Sequence, residues 1–378
     1  MSGGWRALGR RLGLGRRGGA AGPADVQTTG NDDEGDLPVI RITVKVTPEE
    51  MARWALSAAE EDKGARHPDT FTAAYELAQV LWRQGAAEEA MELLRHVVAG
   101  RRAVLGHGHP DTLAATSYLG RSLEKRGELA EAEQLLRMVW TEHRRTSGEA
   151  HRETLASLAV VARITLRLDR PAEAERLARQ ALAGRERVLG PDHRDTLGTR
   201  NILAGTLRAQ GRLEDAERLY GQVGKDAARL FGAEDELSLN AHSNRASVLA
   251  HQGRFDEAER LYRPVVALRV RTRPGHEDTL WAQHNLASIL AGGGKLGEAE
   301  TLMRSVVEGR ADLFGDDHPE TLHSVNSLAA MLHNQGRRAE AEVLCRKVLA
   351  GTERRFGPGD PRTAEARENL RVVRAGLG

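Results

Sequence analysis

The sequence predicts an all-α protein, a right-handed superhelical solenoid of tandem antiparallel helix pairs with about seven repeats and a C-terminal capping helix. Three observations predict it. A short motif recurs about every 42 residues, apolar residues with helical spacing follow each copy, and a glycine and an alanine stand at fixed distances behind it. Helix pairs of this size cannot bury their own apolar faces, so the copies must stack on one another.

The recurring motif is HPDTL or a close variant, and its threonine is the anchor from which repeat positions are counted. Successive anchors are 42 residues apart, with one interval of 41 between the fifth and sixth. The anchors are Thr70, Thr112, Thr154, Thr196, Thr279 and Thr321 and, in two degenerate copies, Ser238 and Thr363. A period this regular indicates one structural unit repeated along the chain.

Each unit has the pattern of two helices. The acidic residue before the anchor suits a helix N-terminus, and apolar residues at +4, +7, +8 and +11 have helical spacing. A glycine at +15 ends the first helix in every repeat except the third, which has Asp169. The alanine at +20 lets the second helix approach closely. These alanines are Ala90, Ala132, Ala174, Ala216, Ala258, Ala299 and Ala341.

The fifth repeat departs from the pattern in its second helix. Pro264 falls inside that helix, where proline removes a hydrogen bond. The missing residue of the 41-residue interval lies in the same stretch, between Val265 and Thr279. We therefore expect a kink there and a change in superhelical path between the fifth and sixth repeats.

Three segments flank the repeats of residues 67–360. Residues 1–36, rich in glycine and arginine and then acidic, are predicted to be a disordered tail, although apolar residues among the arginines leave open a contact with an anionic membrane. Residues 37–66 are predicted to form a short extended segment and an N-terminal capping helix over about 48–63, opened by the capping box at Thr47. Leu37–Val46 alternates like a strand without an obvious partner in the chain, so it either lies along the repeats or adds to a partner's sheet edge. Residues 361–378 are predicted to contain the C-terminal capping helix.

Composition excludes several classes of function. The net charge is +1 and aromatic residues make up 4% of the chain, which argues against nucleic-acid binding. The abundant arginines are attributed to composition bias. A single cysteine, Cys345, fits a reducing cytoplasm and is predicted to be a core residue, and no stretch is apolar enough for stable membrane insertion.

No catalytic, cofactor-binding or metal-binding constellation is predicted. Six histidines occupy the same position, three residues before the anchor, and a residue repeated in this way indicates a structural role. They are His67, His109, His151, His193, His276 and His318. The glycines at 292–294 mark a turn between helices and not a phosphate-binding loop.

The repeat pattern resembles the tetratricopeptide family, with L-G/A at +7/+8, glycine at +15 and alanine at +20. The 42-residue period and the G-R-x-x-D/E-A-E-x-L-Y string (Gly211–Tyr220, Gly253–Tyr262) resemble the longer variety of kinesin light chains. The resemblance implies that asparagines at +5 and +6 of the first helix hold the main chain of an extended peptide. Here these positions carry Asn201, Asn244, Asn285 and Asn326.

Helical geometry places +2, +5, +9 and +13 of the first helix away from the core, on the expected concave surface. Together with the asparagines, the predicted peptide-binding groove consists of Asn201, Asn240, Asn244, His251, Trp281, His284, Asn285, His323, Asn326 and Asn334. The expected function is a non-catalytic cytoplasmic adaptor that binds a protein or peptide partner there. The alternative is a peptide-sensing regulator whose superhelix changes shape on binding, hinged near Pro264. The partner, pathway and oligomeric state do not follow from the sequence.

Overall fold

The structure, a computed structural model, describes residues 25–28, 40–43 and 46–375. The chain divides into two compact units, residues 1–119 and 120–378. The described part contains sixteen helices, arranged as the predicted pairs. The all-α repeat fold is therefore confirmed.

The first unit contains the N-terminal cap and the first repeat. Its elements are β1 (Asp25–Thr28), β2 (Ile40–Thr43), α1 (Pro48–Lys63), α2 (Pro68–Arg83), α3 (Ala87–Leu105) and the first part of α4 (Pro110–Arg126), whose remainder belongs to the second unit.

The two strands correct one expectation. β1 and β2 pair antiparallel, with Val26 opposite Ile42 and Thr28 opposite Ile40. Residues 40–43 of the predicted extended segment thus have a partner inside the chain, within the tail that was predicted to be disordered. The β-branched Val26 and Thr28 favour a strand locally. The run of residues 25–28 is short, however, and it stands in a glycine-rich part of the sequence. The rest of that tail lies outside the described residues.

The capping helix α1 has the predicted bounds and the predicted start. The Thr47 hydroxyl accepts from the Glu50 amide, and the Glu50 carboxylate accepts from the Thr47 amide. Ala52 and Leu56 pack against the buried Leu77 and its neighbours in the first repeat. The helix therefore covers the apolar face that the first repeat would otherwise expose.

The second unit contains the remaining repeats and the C-terminal cap. Its further helices are α5 (Leu129–Ser147), α6 (Arg152–Arg167), α7 (Pro171–Leu189), α8 (Arg194–Ala209), α9 (Leu213–Phe231), α10 (Glu236–His251), α11 (Phe255–Thr272), α12 (Glu277–Gly292), α13 (Leu296–Phe314), α14 (Pro319–Asn334), α15 (Arg338–Phe356) and α16 (Pro361–Ala375). The C-terminal helix agrees with the sequence prediction.

The repeated histidine begins each first helix. Its Nδ1 accepts a hydrogen bond from the amide two residues later, over 3.1 to 3.3 Å in all six cases. Asp235 has the same role in the fifth repeat, where its Oδ1 accepts from the Leu237 amide at 2.9 Å. These bonds satisfy an amide that has no partner within the helix, so the structural role of the histidines is confirmed.

The turn between the two helices requires a left-handed residue. The glycines at +15 have φ between 75° and 86°. Asp169 has φ 56°, the only positive φ of a non-glycine residue in the described part of the chain. The third repeat, which lacks glycine at +15, therefore has a strained backbone at this turn.

The helix pairs are closed by small residues and tied together by ion pairs. All seven alanines at +20 are fully buried, and Cys345 is buried in the core as predicted. In the second to sixth repeats, the glutamate at +21 pairs with the cation at +16 of the next repeat. The pairs are Glu133–Arg170, Glu175–Arg212, Glu217–Arg254, Glu259–Lys295 and Glu300–Arg337. Hydrogen bonds from Arg304 and Arg337 lower the pKa of Glu300 to about 2.

Helix α11 continues through Pro264 as one helix of 18 residues, where the other second helices have 19. Its C-terminal cap is Arg273 with φ −142°, whereas the equivalent residue after α9 is Gly232 with φ 100°. The missing residue therefore shortens the helix and changes its C-terminal cap.

Candidate functional site

The first helices of consecutive repeats meet along one surface. In the second unit, α6 contacts α8, α8 contacts α10, and α10 contacts α12. The positions +2, +5, +6 and +9 of these helices therefore line a surface shared by neighbouring repeats. Cavities open on the same repeat positions at two places, one between α6 and α8 and one between α14 and α16.

The larger cavity lies between the third and fourth repeats and has a volume of about 370 Å³. Its walls include Asn201 at +5 and Ile202 at +6, beside small residues of both first helices. A Cβ atom added to Gly198 would meet no atom within 4 Å. This cavity involves the third repeat, which lies outside the predicted groove.

The second cavity lies between the seventh repeat and α16, with a volume of about 160 Å³. His323 at +2 and Asn326 at +5 form one side, and Asn369 of α16 forms the other. Leu322 and Phe356 add an apolar floor. Helix α16 thus supplies a groove wall as the first helix of an eighth unit would.

The predicted groove residues differ in their exposure. Asn240, His251, Trp281, Asn285, His323 and Asn334 are exposed, Asn201, Asn244 and Asn326 are half-buried, and His284 is buried. The prediction that His284 faces solvent is therefore wrong. Position +5 lies between two first helices, and a single helical wheel does not include the neighbouring repeat.

His284 belongs to a cluster at the junction of the sixth and seventh repeats. Its ring stacks on that of His323 with centroids 5.0 Å apart, and its Nδ1 lies 3.3 Å from the Ser324 hydroxyl. The Trp281 ring lies over the Arg310 guanidinium at 4.9 Å. Burial, followed by the charges of His323 and Arg310, lowers the pKa of His284 to about 3. The imidazole is therefore neutral at physiological pH.

Four asparagines of the surface already have partners. Asn240 Oδ1 accepts from Arg269 at 3.1 Å, and Asn285 bonds with the Tyr262 hydroxyl. Asn369 Nδ2 donates to Asn326 Oδ1 at 3.2 Å. The sequence prediction did not include Asn369, although it stands at +6 from the degenerate anchor Thr363, where Asn244 and Asn285 stand in their own repeats.

Sequence reasoning also missed a set of buried arginines. Position +31, in the second helix, is an arginine in four repeats, and each side chain is at most 8% exposed. These residues are Arg101, Arg185, Arg269 and Arg310. Their recurrence at one repeat position was the available signal, and it contradicts composition bias as their explanation.

In the described part of the chain, no cluster of three or more histidine, cysteine or acidic side chains could hold a metal ion. The same residues include no helix with the length and apolarity that crossing a membrane requires.

The repeats match two models of a known protein family. One profile described as tetratricopeptide repeat matches residues 69–139, 153–223 and 237–312, and a second with the same description matches 321–362. The chain belongs to the tetratricopeptide repeat family. Proteins with such repeats generally act as non-catalytic scaffolds and bind protein or peptide partners.

Three solved structures illustrate what the chain is similar to. A putative kinesin light chain of Podosopora anserina is 29% identical, with a TM-score of 0.48 over 53% of this chain and 95% of its own. A Rap protein complexed with competence and sporulation factor is 16% identical, with a TM-score of 0.50, and the match covers 87% and 99% of the two chains. The quorum sensor NprR from B. thuringiensis is 14% identical, with a TM-score of 0.50 over 88% and 98%. None of the curated proteins matches the chain.

Proposed function

We propose that this protein is a non-catalytic adaptor that holds an extended segment of a partner polypeptide along the first helices of its third to seventh repeats. One observation carries the proposal: the two separate cavities open on the same repeat positions, and each is lined by the asparagine at +5, Asn201 in one and Asn326 in the other.

A carboxamide suits an extended ligand because it both donates to and accepts from a peptide main chain, whatever the ligand's side chains are. The amides recur at +5 or +6 in the fourth to seventh repeats and again in α16. This spacing provides one main-chain contact for each repeat along a segment that follows the surface. The apolar floors of the cavities then provide space for ligand side chains.

The proposal is tested by measuring how substitutions change the affinity of the protein for selected peptides. Peptides would be selected from a random displayed library with the intact protein, and their affinity measured by fluorescence polarisation. Changing Asn285, Asn326 and Asn369 together to alanine should weaken binding by about 1 kcal/mol for each lost hydrogen bond, roughly a hundredfold in all. Helicity and melting temperature should change little.

The chain offers a matched control. Gln134, Gln180 and Gln222 are exposed amides on second helices, so their joint change to alanine removes the same chemistry from another face. This control should bind the selected peptides like the unaltered protein. Equal losses in both triple variants, or undiminished binding by the asparagine variant, would overturn the proposal.

A second candidate function is a sensor whose repeats shift when a ligand binds. It is favoured by a cavity of about 490 Å³ beside Pro264, lined by Leu239, His242 and Leu268, at the helix with the altered C-terminal cap. X-ray scattering with and without a selected peptide distinguishes the two. A sensor changes its radius of gyration, and Pro264→Ala reduces that change, whereas an adaptor keeps the same radius.

A further inference from the structure

The buried arginine at +31 links each repeat that has it to the next. In three cases its Nη1 donates to the backbone carbonyl just before the next anchor. The distances are 2.9 Å from Arg101 to Asp111, 2.6 Å from Arg185 to Asp195 and 2.9 Å from Arg310 to Glu320. The guanidinium thus lies at the junction of two first helices. We call the first-helix side chain that contacts it from +2 or +5 its cover.

The cover differs among the repeats. In the first repeat, the ring of Tyr75 at +5 lies 5.2 Å from the Arg101 guanidinium. In the sixth, the ring of Trp281 at +2 lies 4.9 Å from that of Arg310. In the fifth, Asn240 at +2 accepts a hydrogen bond from Arg269. The chain therefore uses an aromatic ring or a polar side chain from +2 or +5 at this place.

The third repeat lacks such a cover. Its +2 and +5 residues are Ala156 and Ala159, and the facing +2 residue of the fourth repeat is Gly198. The 370 Å³ cavity opens there, with Arg185 in its wall. Arg185 is only 7% exposed, and its buried Nε has no hydrogen-bond partner. A guanidinium attracts the face of an aromatic ring.

We propose, on the basis of the proposed function, that this cavity receives an aromatic side chain of the bound polypeptide, which stacks on Arg185 as Tyr75 and Trp281 stack on the equivalent arginines. The ligand supplies in the third repeat the ring that the first and sixth repeats supply themselves.

The charges and walls of the cavity favour a neutral ring over an anion. The other two arginines of the wall are already paired, Arg163 with Glu124 at 2.6 Å and Arg194 with Asp235 at 2.7 Å. Asp195 adds a further negative charge to the wall. Val160, Ile202 and Leu237 provide apolar contacts for the edges of a ring.

An oxygen atom in the cavity wall distinguishes among aromatic side chains. The buried Oδ1 of Asn201, in the wall of the same cavity, has no hydrogen-bond partner. A ring with its own N–H or O–H donates to this oxygen, whereas a phenyl ring leaves it without a partner. Tryptophan and tyrosine should therefore bind more tightly than phenylalanine.

The test uses blocked amino acids as probes, followed by ligand-observed NMR. N-acetyl-tryptophanamide should bind with a dissociation constant on the order of 1 mM, as expected for a small fragment. N-acetyl-leucinamide and the N-acetyl amide of aspartate should bind about tenfold more weakly, because neither stacks on a guanidinium.

Two variants place in the cavity an aromatic side chain that the chain has at the equivalent position of another repeat. Ala159→Tyr reproduces the position of Tyr75, and Ala156→Trp reproduces that of Trp281. Each should abolish binding of the tryptophan probe without lowering the melting temperature. Leu313→Trp, at an exposed position of a second helix, adds a ring elsewhere and should leave probe binding unchanged. If one filling variant does not fold, the other still decides the outcome.

The proposal is wrong if the unaltered protein does not bind the tryptophan probe, if the leucine or aspartate probe binds equally well, or if a folded filling variant keeps its affinity. These failures differ from failure of the proposed function. The triple asparagine variant leaves the 370 Å³ cavity intact, so it can retain the probe even if the selected peptides bind elsewhere.

Discussion

The junction of the third and fourth repeats and that of the sixth and seventh share one framework and differ in their covering side chains. Both have a buried arginine at +31 that donates to a carbonyl and to a hydroxyl of the next repeat, Thr199 in one and Ser324 in the other. Alanine and glycine leave the first junction open, whereas Trp281, His284 and His323 fill the second. Exchange of three side chains on a constant backbone thus turns a packed junction into a cavity.

The largest expected effect concerns the arginines themselves. Arg310 is 1% exposed and lies under a packed cluster, so Arg310→Met leaves the carbonyl and carboxylate of Glu320 without their buried partner. We expect a loss of about 3 kcal/mol in the free energy of unfolding, measured by urea denaturation.

The matched change is Arg185→Met. Water can enter the open cavity and bond to the Asp195 carbonyl, so this variant should lose only about 1 kcal/mol. Equal losses from the two substitutions would show that the open and filled junctions do not differ in solvent access.

The stability of the protein should decrease at acidic pH because of His284. The folded-state pKa of His284 is about 3, and its unfolded value is near 6.5. The folded protein therefore binds fewer protons, and the contribution of His284 to stability is complete above pH 6.5 and is lost as the pH falls toward 3. The loss is about 1.4 kcal/mol per pH unit, or about 2 kcal/mol at pH 5.

His284→Ala makes the sixth repeat resemble the third, which has Ala159 at this position. The variant should show a smaller decrease in stability between pH 7 and pH 5 than the unaltered protein. An unchanged slope in the two denaturation series would mean that His284 is not held neutral by its burial.

The smallest expected effect distinguishes the same two repeats at their turns. Asp169 of the third repeat and Gly294 of the sixth both have a positive φ, 56° and 80°. Asp169→Gly relieves backbone strain and should stabilise the protein by about 0.5 to 1 kcal/mol, and Gly294→Asp should destabilise it by a similar amount. Thermal melting of the two variants should show shifts of opposite sign.

The sequence was sufficient to predict what local chemistry decides. Thr47 and its capping box define the start of α1, and the exception at Asp169 marks the strained turn. What it could not show depends on neighbouring repeats. The burial of His284 requires the sixth and seventh first helices to be in contact, and the burial of Arg185 requires carbonyls that only the next repeat provides. The strand at 25–28 was missed because four residues carry too little local pattern.

The candidate groove was predicted in part. The asparagine positions were identified through the resemblance, and two of them line cavities. The cavity of the third repeat was missed because its decisive residues, Ala156, Ala159 and Gly198, have no functional group. They matter through the space they leave, which is visible only when compared with Tyr75 and Trp281 at the equivalent positions.

The most direct test of the account is methyl NMR of the intact protein titrated with a library-selected peptide. If the first helices hold the ligand, shifts should concentrate at Ala156, Ala159 and Ile202 of the cavity. The methyls of Leu313 and Val343, exposed on second helices, should not change. Shifts confined to the second helices, with the cavity methyls unchanged, would contradict the central claim that this protein binds its partner along its first helices.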